Sequence, residues 1–207
     1  LPFNSPQTLR TVFIDGKDAL GPWRHVPHLL TPYAKGLEEA TYAIHVAKEE
    51  LDRRNDQSLA LGGDLDIDHY NAKAKLAGME PWPYLWVIID EAGDLATEAG
   101  DKSPFYADLR SLLQKGRSFG IFVWATAQNP TAKVLEKAIT GQMQSYFTFK
   151  VMDYTTAFIL KCSYTQSGDR DISAEKITTP GRYLNNYRGW PLLQMQGYFM
   201  PKDERLR

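Results

Sequence analysis

Apolar and polar positions along this chain follow two alternating patterns. Short unbroken apolar runs rich in β-branched and aromatic residues predict strands buried on both faces, and longer stretches with apolar residues three and four apart predict amphipathic helices. Thr11-Val12-Phe13-Ile14-Asp15, ended by Gly16, is the first such strand. Leu37 to Asn55 follows as a helix with Leu37, Ala40, Ile44, Ala47 and Leu51 on one face; Glu49, Glu50, Asp52, Arg53 and Arg54 crowd its end as a mostly solvated face. From Gln57 to Pro83 the pattern is irregular, broken by Gly62-Gly63 and Gly78, with a short helix near Tyr70 to Leu76. Leu85-Trp86-Val87-Ile88-Ile89 is the most hydrophobic strand, and Asp90-Glu91 closes it.

A helix is predicted from about Ser103 to Lys115, with Phe105, Leu109, Leu112 and Leu113 on one side; Ser103 can cap it and Pro104 suits its first turn. Gly120 to Thr126 is another buried strand. Thr131 to Thr140 reads as a helix, Tyr146 to Val151 as a strand and Tyr154 to Cys162 as a helix. The tail reads as two antiparallel strands, Gly181 to Arg188 and Pro191 to Phe199, turning at Gly189-Trp190. Strands alternating with helices predict an α/β fold, a three-layer sandwich around a mainly parallel sheet with a C-terminal antiparallel hairpin. Ligands of such sheets bind at the carboxyl ends of the strands. Asp15, Asp90-Glu91 and Thr126 through Gln128 all fall at such ends.

Composition changes this picture little. The 207 residues fit one domain, or one domain of a longer polypeptide, and can bury a core without disulfide or metal staples. The single Cys162 cannot bridge within the chain and favours a reducing compartment. No run of about 18 apolar residues is present, so no membrane span is expected. The opening Leu1-Pro2-Phe3-Asn4 has no basic n-region and is not expected to be a signal peptide. A net charge of −1 confines any nucleic-acid contact to a local patch, or to a ring built by several subunits. His25 and His28 have no Cys or third His nearby, so a metal site is not expected there.

The chemistry centres on Leu85 to Ala92. A buried strand ending in two acids has the form of a Walker B element: it fixes Asp90 within reach of a nucleotide-bound Mg²⁺ or one of its waters, and leaves Glu91 to act as base or to orient the attacking water. A polar turn, Thr126-Ala127-Gln128-Asn129-Pro130, ends the next strand, and Thr126 and Gln128 are the candidates to sense a γ-phosphate. Arg117 precedes that strand, toward the opposite end of the sheet, where a subunit interface or a structural ion pair fits better than the same subunit's phosphates.

These strings resemble the FtsK/SpoIIIE family of DNA translocases. Asp90-Glu91-Ala92-Gly93-Asp94-Leu95 is similar to its "DEFADL", Gln114 to Ile121 to "QKARAAGIH", and Ala125 to Pro130 to "ATQRP". Phe13 to Lys17 is similar to "IDPK", Pro27 to Thr31 to "PHLLT", Glu49 to Arg54 to "EMERR", and His69-Tyr70-Asn71 to "GYN", with order and spacing kept from about Val12 to Gly141. The resemblance implies a RecA-like motor domain that uses ATP and Mg²⁺, assembles as a hexameric ring and moves double-stranded DNA through its pore. Lys133 and Lys137, near the start of the helix after Pro130, are candidate DNA contacts. It implies a cytoplasmic segment without membrane contact, in a protein that an upstream segment could tether to a membrane.

Departures from the pattern bound this reading. No Gly-x-x-x-x-Gly-Lys-Ser/Thr occurs in the chain. In the family that loop precedes the "IDPK" strand, so it is expected before Leu1, with residues 1–207 forming the C-terminal greater part of one motor domain. Ala127 is an extra residue in the "ATQRP" turn and Asn129 replaces its Arg. The family's arginine ahead of its "F-x-V" strand falls near Ser145 or Tyr146, which leaves a trans-acting finger without a candidate. Two alternatives stay open: a type VII secretion-like ATPase that exports polypeptide, and a degenerate, non-catalytic module.

Overall fold

The computed structural model describes residues 4–17, 20–63, 65–100, 102–127, 141–152, 163–165, 171–187 and 192–198. The chain divides into two compact units, residues 1–129 with 134–142, and residues 130–133 with 143–207.

The first unit is built on three parallel strands, β1 (Leu9–Asp15), β2 (Tyr84–Asp90) and β3 (Ile121–Ala125), in the order β1-β2-β3. Their apolar runs lie where the sequence pattern puts them, and all three carboxyl ends share one edge. Residues 28–34 run beside β1 and seal its outer edge: Thr11 N–H donates to the His28 carbonyl, and Asp15 N–H to that of Ala34. Helix α1 (Gly36–Ala60) lies against β1, and α4 (Pro104–Lys115) lies against β3 and α1. On α1 the buried positions Ala40, Ala43, Ile44, Ala47 and Leu51 keep the helical spacing. On α4 they are Phe105, Tyr106, Leu109 and Leu112, with the Ser103 hydroxyl accepting from Tyr106 N–H as predicted for the cap. One face of the sheet buries Val12, Ile14, Leu85, Val87, Ile89 and Ile121. On the other, Trp86, Phe122 and Trp124 are 42%, 39% and 45% exposed.

Helix α1 runs past Asn55, and Arg54 corrects the reading of its end as a mostly solvated face. The Arg54 side chain is only 1% exposed. Its guanidinium donates to Glu50 Oε1 at 2.7 Å and to the Phe119 carbonyl at 2.6 Å, and lies 5.6 Å from the centre of the Trp82 ring. A buried cation persists only where its donors are met, and here they tie α1 to the turn before β3. The short helix expected near Tyr70 to Leu76 is α2 (Ile67–Leu76), which starts three residues earlier and is capped by the Asp66 side chain, which accepts from His69 N–H. Tyr70 stacks on Trp82 with ring centres 3.6 Å apart, and Asn71 both donates to the Trp82 carbonyl and accepts from its N–H. The "EMERR"-like and "GYN"-like strings therefore build this corner. A helix that the pattern did not predict, α3 (Ala92–Ala99), follows β2 directly and buries Ala92, Leu95 and Ala96.

The second unit contains β4 (Ser145–Thr148), β5 (Ser163–Thr165), β6 (Asp171–Ser173), β7 (Arg182–Tyr187) and β8 (Leu193–Gln196). Strands β7 and β8 form the expected antiparallel hairpin, β4 adds antiparallel to β7, and β5 pairs with β6. Ala174, Ile177 and Leu184 form its core, with Tyr146, Val151, Ile172 and Leu192 packed against them. The helices predicted over 131–140 and 154–162 and the turn at Gly189-Trp190 lie outside the described residues. Among the described residues, no helix is long and apolar enough to cross a membrane.

Candidate active site

Strand register builds the site. Asp15 pairs with Asp90 across β1 and β2, and Ile89 with Ala125 across β2 and β3. The chain after β3 continues the ladder: Thr126 N–H donates to the Ile89 carbonyl at 2.9 Å, and Ala92 N–H to that of Thr126 at 2.8 Å. Thr126 is thereby held beside both acids. Its hydroxyl donates to Asp90 Oδ1 at 2.5 Å and accepts from Glu91 N–H at 3.1 Å. A threonine hydroxyl has one proton, and here it is given to Asp90.

Glu91 ends the strand pattern. It is the one non-glycine among the described residues with positive φ, at 53° with ψ 50°, a left-handed conformation that costs about 1–2 kcal/mol. The Glu91 side chain is carried sideways to the end of β1 and is 8% exposed. Lys17, two residues past β1, brings its ammonium to 3.4 Å from Glu91 Oε2 and 3.5 Å from Asp94 Oδ2 in the first turn of α3. Desolvation opposes the Lys17 charge, but hydrogen bonding and attraction from Glu91 and Asp94 prevail and raise its pKa above the ordinary lysine value.

Asp15 stands at the same edge, but its carboxylate is committed to the turn. It accepts from the backbone N–H groups of Lys17 at 2.9 Å and Leu20 at 2.6 Å, and from the Tyr33 hydroxyl. That turn lies close against β2, because Gly16 N–H donates to the Asp90 carbonyl at 3.4 Å.

The structure thus brings Asp90, Glu91 and Thr126 together. Arg117 sits in the turn before β3, at the opposite end of the strand. Gln128, Lys133 and Lys137 lie outside the described residues. Sequence reasoning missed Lys17 and Asp94 as site residues; the usable signal was Lys17's place just past the strand that pairs with β2. As a test for Mg²⁺, Asp90 Oδ2 makes no hydrogen bond among the described residues, which leaves a hard oxygen donor of the kind that ion takes. No group of three or more His, Cys, Asp or Glu among them could hold a metal alone, and Mg²⁺ ordinarily needs only one or two carboxylates beside phosphate oxygens and water.

A parallel sheet with these strand ends defines a RecA-like α/β domain, and solved structures agree. The ATPases 2 and 3 of EssC from Geobacillus thermodenitrificans match at TM-score 0.71 and 23% identity, over 89% of this chain and 32% of that one. The pCW3 conjugation coupling protein TcpA, solved with ATPγS, matches at TM-score 0.71 and 18% identity, over 96% of this chain and 54% of that one. The chain belongs to the FtsK/SpoIIIE family, whose profile matches residues 1–132. It is 35% identical over 149 residues to the DNA translocase FtsK of Campylobacter jejuni, covering 72% of this chain and 15% of that protein. It is 30% identical over 204 residues to the DNA translocase SftA of Bacillus subtilis, covering 96% of this chain and 20% of that protein. The chain therefore spans about a fifth or less of the length of these two relatives.

Proposed function

We propose that this chain is the C-terminal greater part of the motor domain of an ATP-driven ring, a hexamer that moves double-stranded DNA, with its phosphate-binding loop supplied by polypeptide preceding Leu1. The observation that carries the reading is the Thr126 hydroxyl bridging Asp90 and Glu91 at the strand ends. Bound Mg-ATP supplies the electrophilic γ-phosphate and the charge that orients it. Asp90 would hold the cation, directly or by one of its waters, with Thr126 fixing the carboxylate's orientation. Glu91 receives the proton of the attacking water or orients that water. Gln128 is the candidate phosphate sensor, Arg117 the candidate subunit contact, and Lys133 and Lys137 the candidate DNA contacts.

The open side of the sheet supports the upstream loop. Parallel strands are ordinarily covered on both faces and hydrophobic edges ordinarily paired, yet among the described residues β3 is an edge strand and Trp86, Phe122 and Trp124 are exposed. A strand added beside β3, followed by a helix over these aromatics, would begin that helix at the edge where Asp90 and Thr126 stand. The relatives named as DNA translocases favour DNA over polypeptide as cargo.

The test uses the full-length protein. Glu91→Gln should lower ATP turnover by about 100-fold or more while nucleotide binding is kept. Duplex DNA should stimulate the parent protein's turnover. Unchanged turnover in the variant, or stimulation by a polypeptide and not by DNA, overturns the reading.

A further inference from the structure

The pairing of Lys17 with Glu91 is not required by packing. The Lys17 side chain is 45% exposed, and its turn is already held by the bonds to Asp15 and by Gly16 against β2. The ammonium nevertheless reaches back to a carboxylate that is 8% exposed and, at nearly the same distance, to Asp94, whose side chain is 69% exposed. Lys17 can therefore release the buried acid and keep the solvated one, without ever losing a counter-charge. The two adjacent acids also meet different side chains: Asp90 accepts from the Thr126 hydroxyl, while Glu91 pairs with Lys17.

We propose that Lys17 is a latch on Glu91, a positioning residue that keeps the carboxylate at the β1 end until its pairing passes to Asp94 alone. This rests on Glu91 being the base in the function proposed above. With Lys17 paired to Glu91 the latch is closed, and idle hydrolysis is held down. Engagement of the ring favours the Lys17–Asp94 pair and so removes one restraint on Glu91, which then turns toward the water it serves. Asp94 is then the alternative seat that makes release easy, and removing it should tighten the latch.

Opposite effects from the two ends of one ion-pair network distinguish a latch from a brace. In the full-length protein without DNA, Lys17→Met should raise ATP turnover about 3- to 5-fold, the scale of one partly exposed ion pair, and Asp94→Asn should lower it by a similar factor. KM and nucleotide affinity should stay within about 2-fold for both, because neither group holds the nucleotide, and Lys17→Arg should keep the parent rate. A readout independent of turnover is acetylation of Lys17 Nζ in the nucleotide-free protein, followed by mass spectrometry. Glu91→Gln should speed it about 3-fold as the stronger-held partner is lost. Lower or unchanged turnover in Lys17→Met, both variants moving the same way, or an unchanged acetylation rate overturns the latch. These results are separable from failure of the underlying reading. If Glu91→Gln turns over normally, the proposed function fails; if it is inactive and Lys17→Met is silent, only the latch fails.

Discussion

Thr126→Val removes the hydroxyl that joins the two acids and keeps the side chain's shape. Three consequences set the size of its effect. The bond to the Asp90 carboxylate is charge-assisted, a class worth about 1.5–3 kcal/mol, but Thr126 is exposed and water replaces much of it, leaving about 1 kcal/mol. The Glu91 N–H loses its acceptor in a partly buried setting, at about 0.5–1 kcal/mol. The left-handed Glu91 backbone then loses one of the bonds that hold it in an unfavourable conformation. The sum is about 1.5–2 kcal/mol, or about 3–8 °C in Tm for a chain of this length. Thr126→Ser restores both bonds and should stay within about 0.5 kcal/mol of the parent. Thermal unfolding of the nucleotide-free protein tests the structural part, and steady-state hydrolysis by the full-length protein tests the rest, where valine should cost about 10-fold through misorientation of Asp90. Were Thr126 instead a direct donor to phosphate, valine would weaken nucleotide affinity and leave the nucleotide-free protein's stability untouched. That result, or equal stability of the valine and serine variants, refutes the bridging role.

Other perturbations separate neighbouring charges. Arg53 and Arg54 both bond Glu50, but their side chains are 48% and 1% exposed; Arg54→Met should cost about 3 kcal/mol by stranding buried partners, and Arg53→Met less than about 1 kcal/mol, as read by urea midpoints. Equal losses would show that burial of Arg54 is not what matters. His45 on α1 bonds Asp108 on α4 at 2.9 Å, and that bond, together with the Asp108 and Glu49 charges, raises its pKa despite desolvation and Lys48. A raised pKa gives stability that is fully present below the unfolded value of about 6.5 and lost as pH rises through the folded value. His45→Gln should therefore lower Tm at about pH 5.5 and match the parent near pH 9, and a pH-independent gap would refute the charged pair.

The three strands of the first unit were legible because their apolar runs are long, unbroken and ended by polar residues, and their parallel order followed from the helices between them. Helix α3 was not legible. Its sequence, Ala92 to Ala99, offers only Leu95 as a large apolar residue, and its start is set by the left-handed Glu91, which no local propensity encodes. Arg54 was misread because a run of mixed charges at a helix end normally faces water; its burial depends on Trp82 and the Phe119 carbonyl, both remote in sequence. Asp90, Glu91 and Thr126 could be picked out as strand-end residues, but not their partners. Which acid the Thr126 hydroxyl meets depends on the one-residue register between β2 and β3, and the Lys17 pairing depends on a turn folded back onto β2.

Consecutive residues of a strand point to opposite faces, so a second acid continuing β2 would have gone behind the sheet. The left-handed turn at Glu91 keeps it at the strand-end edge and moves it along the row from β2 to β1. Asp90 and Glu91 then share one edge but answer to different neighbours, Thr126 on one side and Lys17 on the other. Both partnerships need β1 and β3 in register with β2, and a slip of one residue would exchange the faces of every side chain in the slipped strand. The residues that forbid such a slip are the buried Leu85, Val87, Ile89 and Ile121, whose exchange for the face of Trp86 and Phe122 would expose the core. The geometry of the two carboxylates is thus set by hydrophobic packing that touches neither of them.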